Sequence, residues 1–195
     1  MVAERHQAPM SVEDYFTLDR SSLEARYEFI DGYAYLLAGG TANHATICFN
    51  MMSAVHSRLP GDSPCRIYNS DLRVRLAETR YVYPDATVSC DARDRGQADT
   101  IQYPWLAIEV LSPSTEAYDR GRKFGYYRAC PTMQEYVLVD AQLQAIEVYR
   151  RESDSLWTLH PFGPDDEVEL ASLGVRFPIA AAYRDVVFPD EDTPE

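Results

Sequence analysis

The sequence predicts an α/β domain in which a central mixed β-sheet is flanked by helices and carries an additional β-hairpin and meander. An apolar run at residues 105–111 is followed by a helical segment and by a second apolar run at residues 136–140. This order is typical of two parallel strands joined by a helical crossover. Asp31-Gly32 separates two short strand-like runs, which is a strong hairpin pattern. With 195 residues, of which 46% are hydrophobic, the chain can bury one continuous core.

The elements before the central strand alternate between helix and strand. Ser11 is the predicted N-cap of a short helix, and the helical spacing of apolar residues over 42–59 predicts a longer one. In a later strand Arg73 and Arg75 alternate with apolar residues, so we expect the face that carries them to be wet. Three strands are predicted in this part of the chain, at residues 65–68, 72–76 and 82–90.

After the central strand, the pattern predicts one helix and a meander of shorter strands. The helix covers residues 120–129, with Asp119 as its N-cap and Pro131 beyond its end. The order of elements suits an α/β or α+β domain with one mixed sheet. The remaining predicted elements are strands at residues 145–150, 157–160 and 168–170 and a last short helix at residues 180–187.

Composition and charge exclude several classes of protein. No apolar run approaches the ~20 residues that span a bilayer, so we expect no membrane partner. The net charge of −13 argues against a general nucleic-acid coat protein but does not exclude an enzyme that meets nucleic acid through a local site. We predict a flexible N-terminus at residues 1–10, one domain at 11–188 and an acidic tail at 189–195. The polar N-terminus lacks a secretory pattern, which favours the cytoplasm.

The single lysine and the four cysteines of the chain are informative. Lys123 is the only lysine among the 18 basic residues. Its presence in a chain that otherwise uses arginine indicates a position that arginine cannot fill. The cysteines lack the close spacing of a zinc site, and we expect all of them to be reduced thiols rather than metal ligands or disulfides. They are Cys48, Cys65, Cys90 and Cys130.

Three charged residues form the candidate catalytic set. Glu109 lies within the most apolar predicted strand, where a carboxylate is costly unless it is paired or bound to a cation. Asp85 lies in an earlier predicted strand, and neighbouring strands can bring two carboxylates together as a site for Mg²⁺ or Mn²⁺. Lys123 is predicted on the crossover helix, which packs back over the strand of Glu109. Two acids and a lysine around a divalent metal suit phosphodiester hydrolysis.

Each of these residues also has a structural alternative. Asp85 could cap a turn, and Lys123 could lie on the surface. Glu109 could form a buried ion pair with an arginine. Two groups of arginines are candidate basic strips for contact with DNA. They are Arg66, Arg73, Arg75 and Arg80 in the first group and Arg120, Arg122 and Arg128 in the second.

The same residues carry a resemblance to a known family. Pro84-Asp85 followed by Glu109 resembles the PD-(D/E)XK nuclease superfamily. Residues 105–115, together with Lys123, resemble the Uma family of prokaryotic restriction-endonuclease-like proteins, and the resemblance extends over residues 11–188. The superfamily lysine normally follows the second acid by two residues, where this chain has Leu111. The Uma pattern instead takes its lysine from the following helix, where Lys123 stands.

The resemblance implies a restriction-endonuclease-like fold with a metal site at one sheet edge. It implies Asp85 and Glu109 as ligands of Mg²⁺ or Mn²⁺, with Lys123 as the third catalytic residue. Glu28 and His44 are implied accessory residues, with a solvent-facing hairpin residue and a structural histidine as the alternatives.

The implied activity is metal-dependent DNA cleavage, with a homodimer as a further expectation. Two other functions stay open at this point. One is an interaction protein that retains the nuclease fold, and the other is a phosphodiesterase for RNA or a small nucleotide.

Overall fold

The structure is a computed structural model that describes residues 8–22, 25–37, 39–97 and 99–188. Within these residues the strands form a six-stranded mixed sheet, a five-stranded mixed sheet and a two-stranded sheet. The predicted mixed α/β fold is confirmed, although the strands form three sheets where one mixed sheet was expected. The predicted acidic tail and most of the predicted flexible N-terminus lie outside the described residues.

The elements alternate along the chain much as predicted. The helices are α1 (Val12–Ser21), α2 (Ala42–His56), α3 (Glu116–Tyr118) and α4 (Phe124–Ala129). The strands are β1 (Tyr27–Ile30), β2 (Tyr33–Leu36), β3 (Arg66–Asn69), β4 (Arg73–Ala77), β5 (Arg80–Val82), β6 (Ala86–Ser89), β7 (Thr100–Ile101), β8 (Pro104–Leu111), β9 (Glu135–Asp140), β10 (Ile146–Arg151), β11 (Trp157–Phe162), β12 (Glu167–Leu170) and β13 (Val175–Pro178). No helix in the described ranges has both the length and the apolar character that crossing a membrane requires.

The C-terminal part differs most from the prediction. β13 was not predicted, and it pairs with β12 as an antiparallel two-stranded sheet. Where a last short helix was expected, the structure has only a 3₁₀ turn at Ile179–Ala181. At the other end Ser11 caps α1 as predicted, because its hydroxyl accepts from the Asp14 backbone N–H at 3.1 Å.

β8 is a central strand of the six-stranded sheet, which has the order β11-β10-β9-β8-β6-β3. It runs parallel to β9, which confirms the predicted crossover, and antiparallel to β6. One face of β8 packs against α2 and the two-stranded sheet, and the other packs against α4 and the five-stranded sheet. Because side chains alternate along a strand, Glu109 lies on the same face as Ala107 and Leu111, within the second of these layers.

The predicted hairpin is present and forms one edge of the five-stranded sheet, which has the order β2-β1-β5-β4-β7. Asp31 and Gly32 both have positive φ, 48° and 96°, as a tight two-residue hairpin turn requires. β1 also pairs with β5, with Phe29 opposite Tyr81. This pairing places Glu28 beside Tyr83, whose backbone N–H donates to Glu28 Oε1 at 3.2 Å.

The strand predicted at residues 82–90 is two strands in different sheets. β5 belongs to the five-stranded sheet and β6 to the six-stranded sheet, and Tyr83, Pro84 and Asp85 connect them. Proline has no N–H to donate to a strand neighbour, so hydrogen bonding of the strand is interrupted there. Asp85 consequently lies at the junction of the two sheets, directly before β6.

Arg73 does not face solvent, contrary to the prediction for β4. Its side chain is 2% exposed, and Nη1 lies 2.8 Å from Asp19 Oδ2. The guanidinium also pairs with Asp99 and lies 4.7 Å from the Phe16 ring centroid. Alternation with apolar residues did not reveal this burial, because the acids that pair with Arg73 come from distant parts of the chain.

Cys65 and Cys90 form a disulfide, so the expectation of four free thiols is wrong for this pair. β3 and β6 are antiparallel with Arg66 opposite Ser89, which places the two cysteines opposite each other at the next position. Spacing in the sequence does not reveal such a register. Cys48 and Cys130 are free.

We expect the Cys65→Ser/Cys90→Ser double variant to lose about 2–4 kcal/mol of unfolding free energy, because the crosslink restricts the unfolded chain. Urea unfolding of the double variant and the wild type, both without reducing agent, measures this difference. A Cys130→Ser variant is the control for the loss of a thiol. Equal midpoints for the double variant and the wild type would contradict the prediction.

The crossover helix begins earlier than predicted and contains an irregular turn. α3, a π-helical turn at Asp119–Lys123 and α4 follow one another without a break. Asp119 was predicted as an N-cap, but it lies inside this helix and is buried. A π turn inserts an extra residue into a helix and is frequent at functional sites. Here it contains both Asp119 and Lys123, which are buried.

Candidate functional site

Four of the five predicted site residues line a cleft of about 790 Å³ at the junction of the two main sheets. α2 contributes His44 to its wall, the segment before β6 contributes Asp85, and β8 contributes Glu109. The π turn contributes Lys123. The fold therefore brings four of the five predicted residues to one cleft, and the fifth, Glu28, lies directly behind Lys123.

Lys123 lies among three carboxylates. Its Nζ is 2.9 Å from Glu109 Oε1, 3.0 Å from Glu28 Oε1 and 3.8 Å from Asp119 Oδ1. All four residues are at most 5% exposed. With every group ionised, this buried cluster carries two more negative than positive charges. Such an excess is costly in a low-dielectric interior unless the acids take up protons or a cation.

Glu109 is held by two contacts on the same oxygen. The Tyr127 hydroxyl donates to Oε1 at 2.8 Å, and Lys123 contacts the same atom. Neither contact uses Oε2. Burial raises the pKa of Glu109 well above its ordinary value; Lys123 opposes this rise, and the nearby carboxylates add to it.

Asp85 and His44 form a second pair at the cleft. The Val110 backbone N–H donates to Asp85 Oδ2 at 2.7 Å, and His44 Nε2 lies 3.3 Å from the same oxygen. His44 is near the start of α2, which Thr41 caps. The hydrogen bond to Asp85 raises the pKa of His44 despite the opposing effect of burial.

Several structural alternatives are now excluded. Glu28 is 3% exposed and therefore does not face solvent. Lys123 is not on the surface, and Glu109 pairs with this lysine rather than with an arginine. The geometry brings Glu28, Glu109 and Lys123 into direct contact and joins Asp85 to His44. The catalytic and metal-binding roles of these residues are the subject of the proposal below.

The sequence reasoning missed three residues of the site, which are Cys48, Asp119 and Tyr127. Cys48 Sγ lies 3.5 Å from His44 Nδ1, four residues further along α2. Asp119 and Tyr127 stand one helical turn before and after Lys123. Four-residue spacing from the predicted His44 and Lys123 would have pointed to all three, because such residues share a helix face.

Acids pair with three of the seven arginines in the predicted strips. Arg73 is buried, Arg80 pairs with Asp31, and Arg120 pairs with Glu116. At the cleft itself, Arg26 is exposed and pairs with Asp71. Arg66, Arg122 and Arg128 are exposed, so only part of the charge in the predicted strips is balanced by acids within the part of the chain that the structure describes.

Comparisons with known proteins point to one family. A family model described as "Uma2: Putative restriction endonuclease" matches residues 12–181. An uncharacterized protein of Synechocystis sp. is 38% identical over 192 residues, covering 96% of this chain and 100% of the relative. A second uncharacterized Synechocystis protein is 32% identical over 171 residues, covering 85% of this chain and 95% of that relative.

A solved structure shares the fold. It is the crystal structure of a "putative nuclease belonging to DUF820" from Anabaena variabilis, with a TM-score of 0.75 and 20% sequence identity. The similarity covers 92% of this chain and 100% of that chain. It confirms the predicted nuclease-like mixed α/β fold.

Proposed function

The chain belongs to the Uma2 family of restriction-endonuclease-like proteins, and on this premise we propose that it is a metal-dependent endonuclease that hydrolyses DNA phosphodiester bonds. Asp85, Glu109 and Lys123 are the catalytic residues in this proposal, with Glu28 and His44 as accessory residues. A homodimer, which would pair two sites for cutting both strands, and a cytoplasmic location remain predictions.

The observation that supports this proposal most strongly is the excess of buried carboxylates around Lys123. Three acids face a single ammonium group, and Asp85 adds a further carboxylate at the same cleft. A protein without a cation ligand would gain little from this arrangement, because buried like charges repel each other. A divalent cation at the cleft would offset the excess charge.

The residues present fit a hard divalent cation. Asp85 and Glu109 both line the cleft and offer carboxylate oxygens, the donors that Mg²⁺ and Mn²⁺ prefer. In each residue the described contacts use one oxygen, Oδ2 of Asp85 and Oε1 of Glu109. We therefore assign these two acids as the ligands. A bound divalent ion would polarise the scissile phosphate and favour ionisation of the attacking water.

Lys123 has a positioning and charge-stabilising role in this scheme. It contacts both Glu109 and Glu28 at hydrogen-bond distance, so it is held as an ammonium with a fixed direction. Its remaining N–H can donate to the attacking water or to a phosphate oxygen. Glu28 and the π turn restrict the motion of the lysine, and Tyr127 fixes the carboxylate of Glu109.

The proposal is tested by nicking of supercoiled plasmid with Mg²⁺ or Mn²⁺, with EDTA as the metal-free control. We expect Asp85→Asn to lose cleavage and to bind Mn²⁺ about 10–100-fold more weakly in calorimetry, because one ligand carboxylate is removed. Asp62→Asn is the matched control, since Asp62 is exposed in a turn that does not line the cleft.

Each of the other outcomes has a defined meaning. Cleavage that persists in EDTA, or that Asp85→Asn leaves unchanged, would contradict the proposed mechanism. Mn²⁺ binding that depends on Asp85, with intact plasmid but cleaved RNA or cyclic nucleotide, would favour the phosphodiesterase alternative. The absence of both Mn²⁺ binding and cleavage would favour an interaction protein that retains the fold.

A further inference from the structure

Three side chains with different donor atoms meet at the α2 side of the cleft. They offer a nitrogen of His44, the sulfur of Cys48 and an oxygen of Asp85, and these ligand atoms all lie within 4.8 Å of one another. All three residues are partly buried and line the cleft. Solvent and ions can therefore reach them.

α2 presents two of these donors on one face. His44 and Cys48 are four residues apart, and Cys48 Sγ lies 3.5 Å from His44 Nδ1. On its other side, His44 Nε2 lies 3.3 Å from Asp85 Oδ2. Because residues four apart share a helix face, α2 fixes the relative positions of the His44 nitrogen and the Cys48 sulfur.

This donor set differs in kind from the carboxylate pair of Asp85 and Glu109. Mg²⁺ and Mn²⁺ prefer oxygen ligands, whereas imidazole and thiolate ligands favour Zn²⁺ and related transition metals. With the imidazole neutral and the thiol proton released on metal binding, one histidine, one cysteine and one aspartate supply three of the four ligands of a tetrahedral ion. The fourth position would remain open towards the cleft.

We infer that His44, Cys48 and Asp85 form a second cation site that takes Zn²⁺. The inference rests on the proposed function only through Asp85, which the two sites would share. An ion held by His44 and Cys48 would occupy the Asp85 carboxylate that the Mg²⁺ site also needs. Zn²⁺ therefore competes with Mg²⁺ and inhibits cleavage, and Cys48 is the residue that distinguishes the two metals.

The nearby charges favour a cation here as well. Glu109 and Asp119 also line this cleft, and Lys123 is the cation that pairs with both. The excess negative charge of the Lys123 cluster thus extends towards the α2 side. Attraction of a divalent ion does not require a change in fold, since α2 and β6 already hold the donors within reach of one another.

Co²⁺ absorption spectroscopy of the full chain tests this inference, because a thiolate bound to Co²⁺ gives a near-ultraviolet sulfur-to-metal charge-transfer band. We expect the band in the wild type and its loss in Cys48→Ser. Cys130→Ser is the matched control, since Cys130 is a free thiol that does not line this cleft, and it should retain the band. The experiment is done without reducing agent, so that the Cys65–Cys90 disulfide stays closed.

Zn²⁺ affinity gives a second readout. In competition with a chromophoric chelator, we expect Cys48→Ser and His44→Ala each to weaken Zn²⁺ binding at least about tenfold. Glu109→Gln should leave the Co²⁺ band in place, because Glu109 belongs only to the Mg²⁺ site. Circular dichroism of each variant shows that the fold is kept.

The outcomes separate this inference from the proposed function. No band in the wild type, or a band that Cys48→Ser retains, overturns the Zn²⁺ site. If Mn²⁺-dependent cleavage is present all the same, the proposed function stands without it. A band that depends on Cys48 in a chain that cleaves no plasmid supports the Zn²⁺ site and leaves the endonuclease proposal without support.

Discussion

Glu109→Gln is expected to lower metal-dependent cleavage by about 10²–10³-fold while making the metal-free protein more stable. The amide keeps the shape of the side chain and can still accept the Tyr127 hydrogen bond. It removes one carboxylate charge from the proposed metal site, so the cation is held more weakly. It also removes one negative charge from a cluster in which three acids face Lys123.

The stability gain should depend on pH. Burial raises the pKa of Glu109, so the metal-free folded state binds its proton more tightly than the unfolded state does. The favourable contribution is complete below the unfolded-state pKa and is lost as pH rises through the folded-state pKa. Urea unfolding in EDTA should therefore show a larger advantage of Glu109→Gln at neutral pH than at acidic pH.

Glu135→Gln is the matched control for this experiment. Glu135 is also a buried carboxylate, at the start of the neighbouring β9, but it pairs with Arg150 and Ser172 outside the cleft. We expect its amide variant to lose about 1.5–3 kcal/mol of stability and to keep its cleavage activity. Glu109→Gln that cleaves like wild type, or that loses as much stability as Glu135→Gln, would refute the assigned role.

Lys123→Met is expected to destabilise the protein by about 3–5 kcal/mol at neutral pH, because it leaves buried carboxylates without their counter-charge. The loss should shrink as pH falls, since protonation of Glu109 and Asp119 relieves their repulsion. Burial raises the pKa of both acids, so this relief begins above the ordinary carboxylate range. Cleavage should fall with the loss of the ammonium group.

Arg122→Met is the matched control, because Arg122 adjoins Lys123 in the same helical turn but is exposed. We expect this change to alter stability by less than about 0.5 kcal/mol. Urea unfolding of both variants at neutral and acidic pH measures the difference. A loss in Lys123→Met that stays constant with pH would show that the lysine acts through packing and not through its charge.

The sequence was most informative where a residue conflicted with its surroundings. Glu109 stood in a continuous apolar strand, and Lys123 was the only lysine of the chain. Both conflicts persist in the structure as one buried contact, at 2.9 Å. Cys48 and Asp119 presented no such conflict, because a cysteine in an apolar helix and an aspartate before a helix are ordinary. Their importance arises from neighbours that only the fold supplies.

The missed features of the fold depend on long-range pairing. Local patterns located β8, the hairpin and the crossover helix, since periodicity and turn residues act over a few positions. They did not show that Pro84 separates two strands of different sheets, or that antiparallel pairing places Cys65 opposite Cys90. Sheet membership and register are decided by contacts between distant segments, which one sequence does not display.

Synthesis from the N-terminus affects when the buried cluster of Lys123, Glu28, Glu109 and Asp119 can form. Its members come from β1, β8 and the π turn, and so a large part of the chain separates Glu28 from Glu109 and Lys123. Contacts of such long sequence separation form late, after the cost of closing large loops has been met. A nascent chain that ends at β6 has the Asp85 carboxylate but neither Glu109 nor Lys123. The proposed hydrolytic centre therefore comes into existence only when synthesis has passed the crossover helix and the two main sheets have docked.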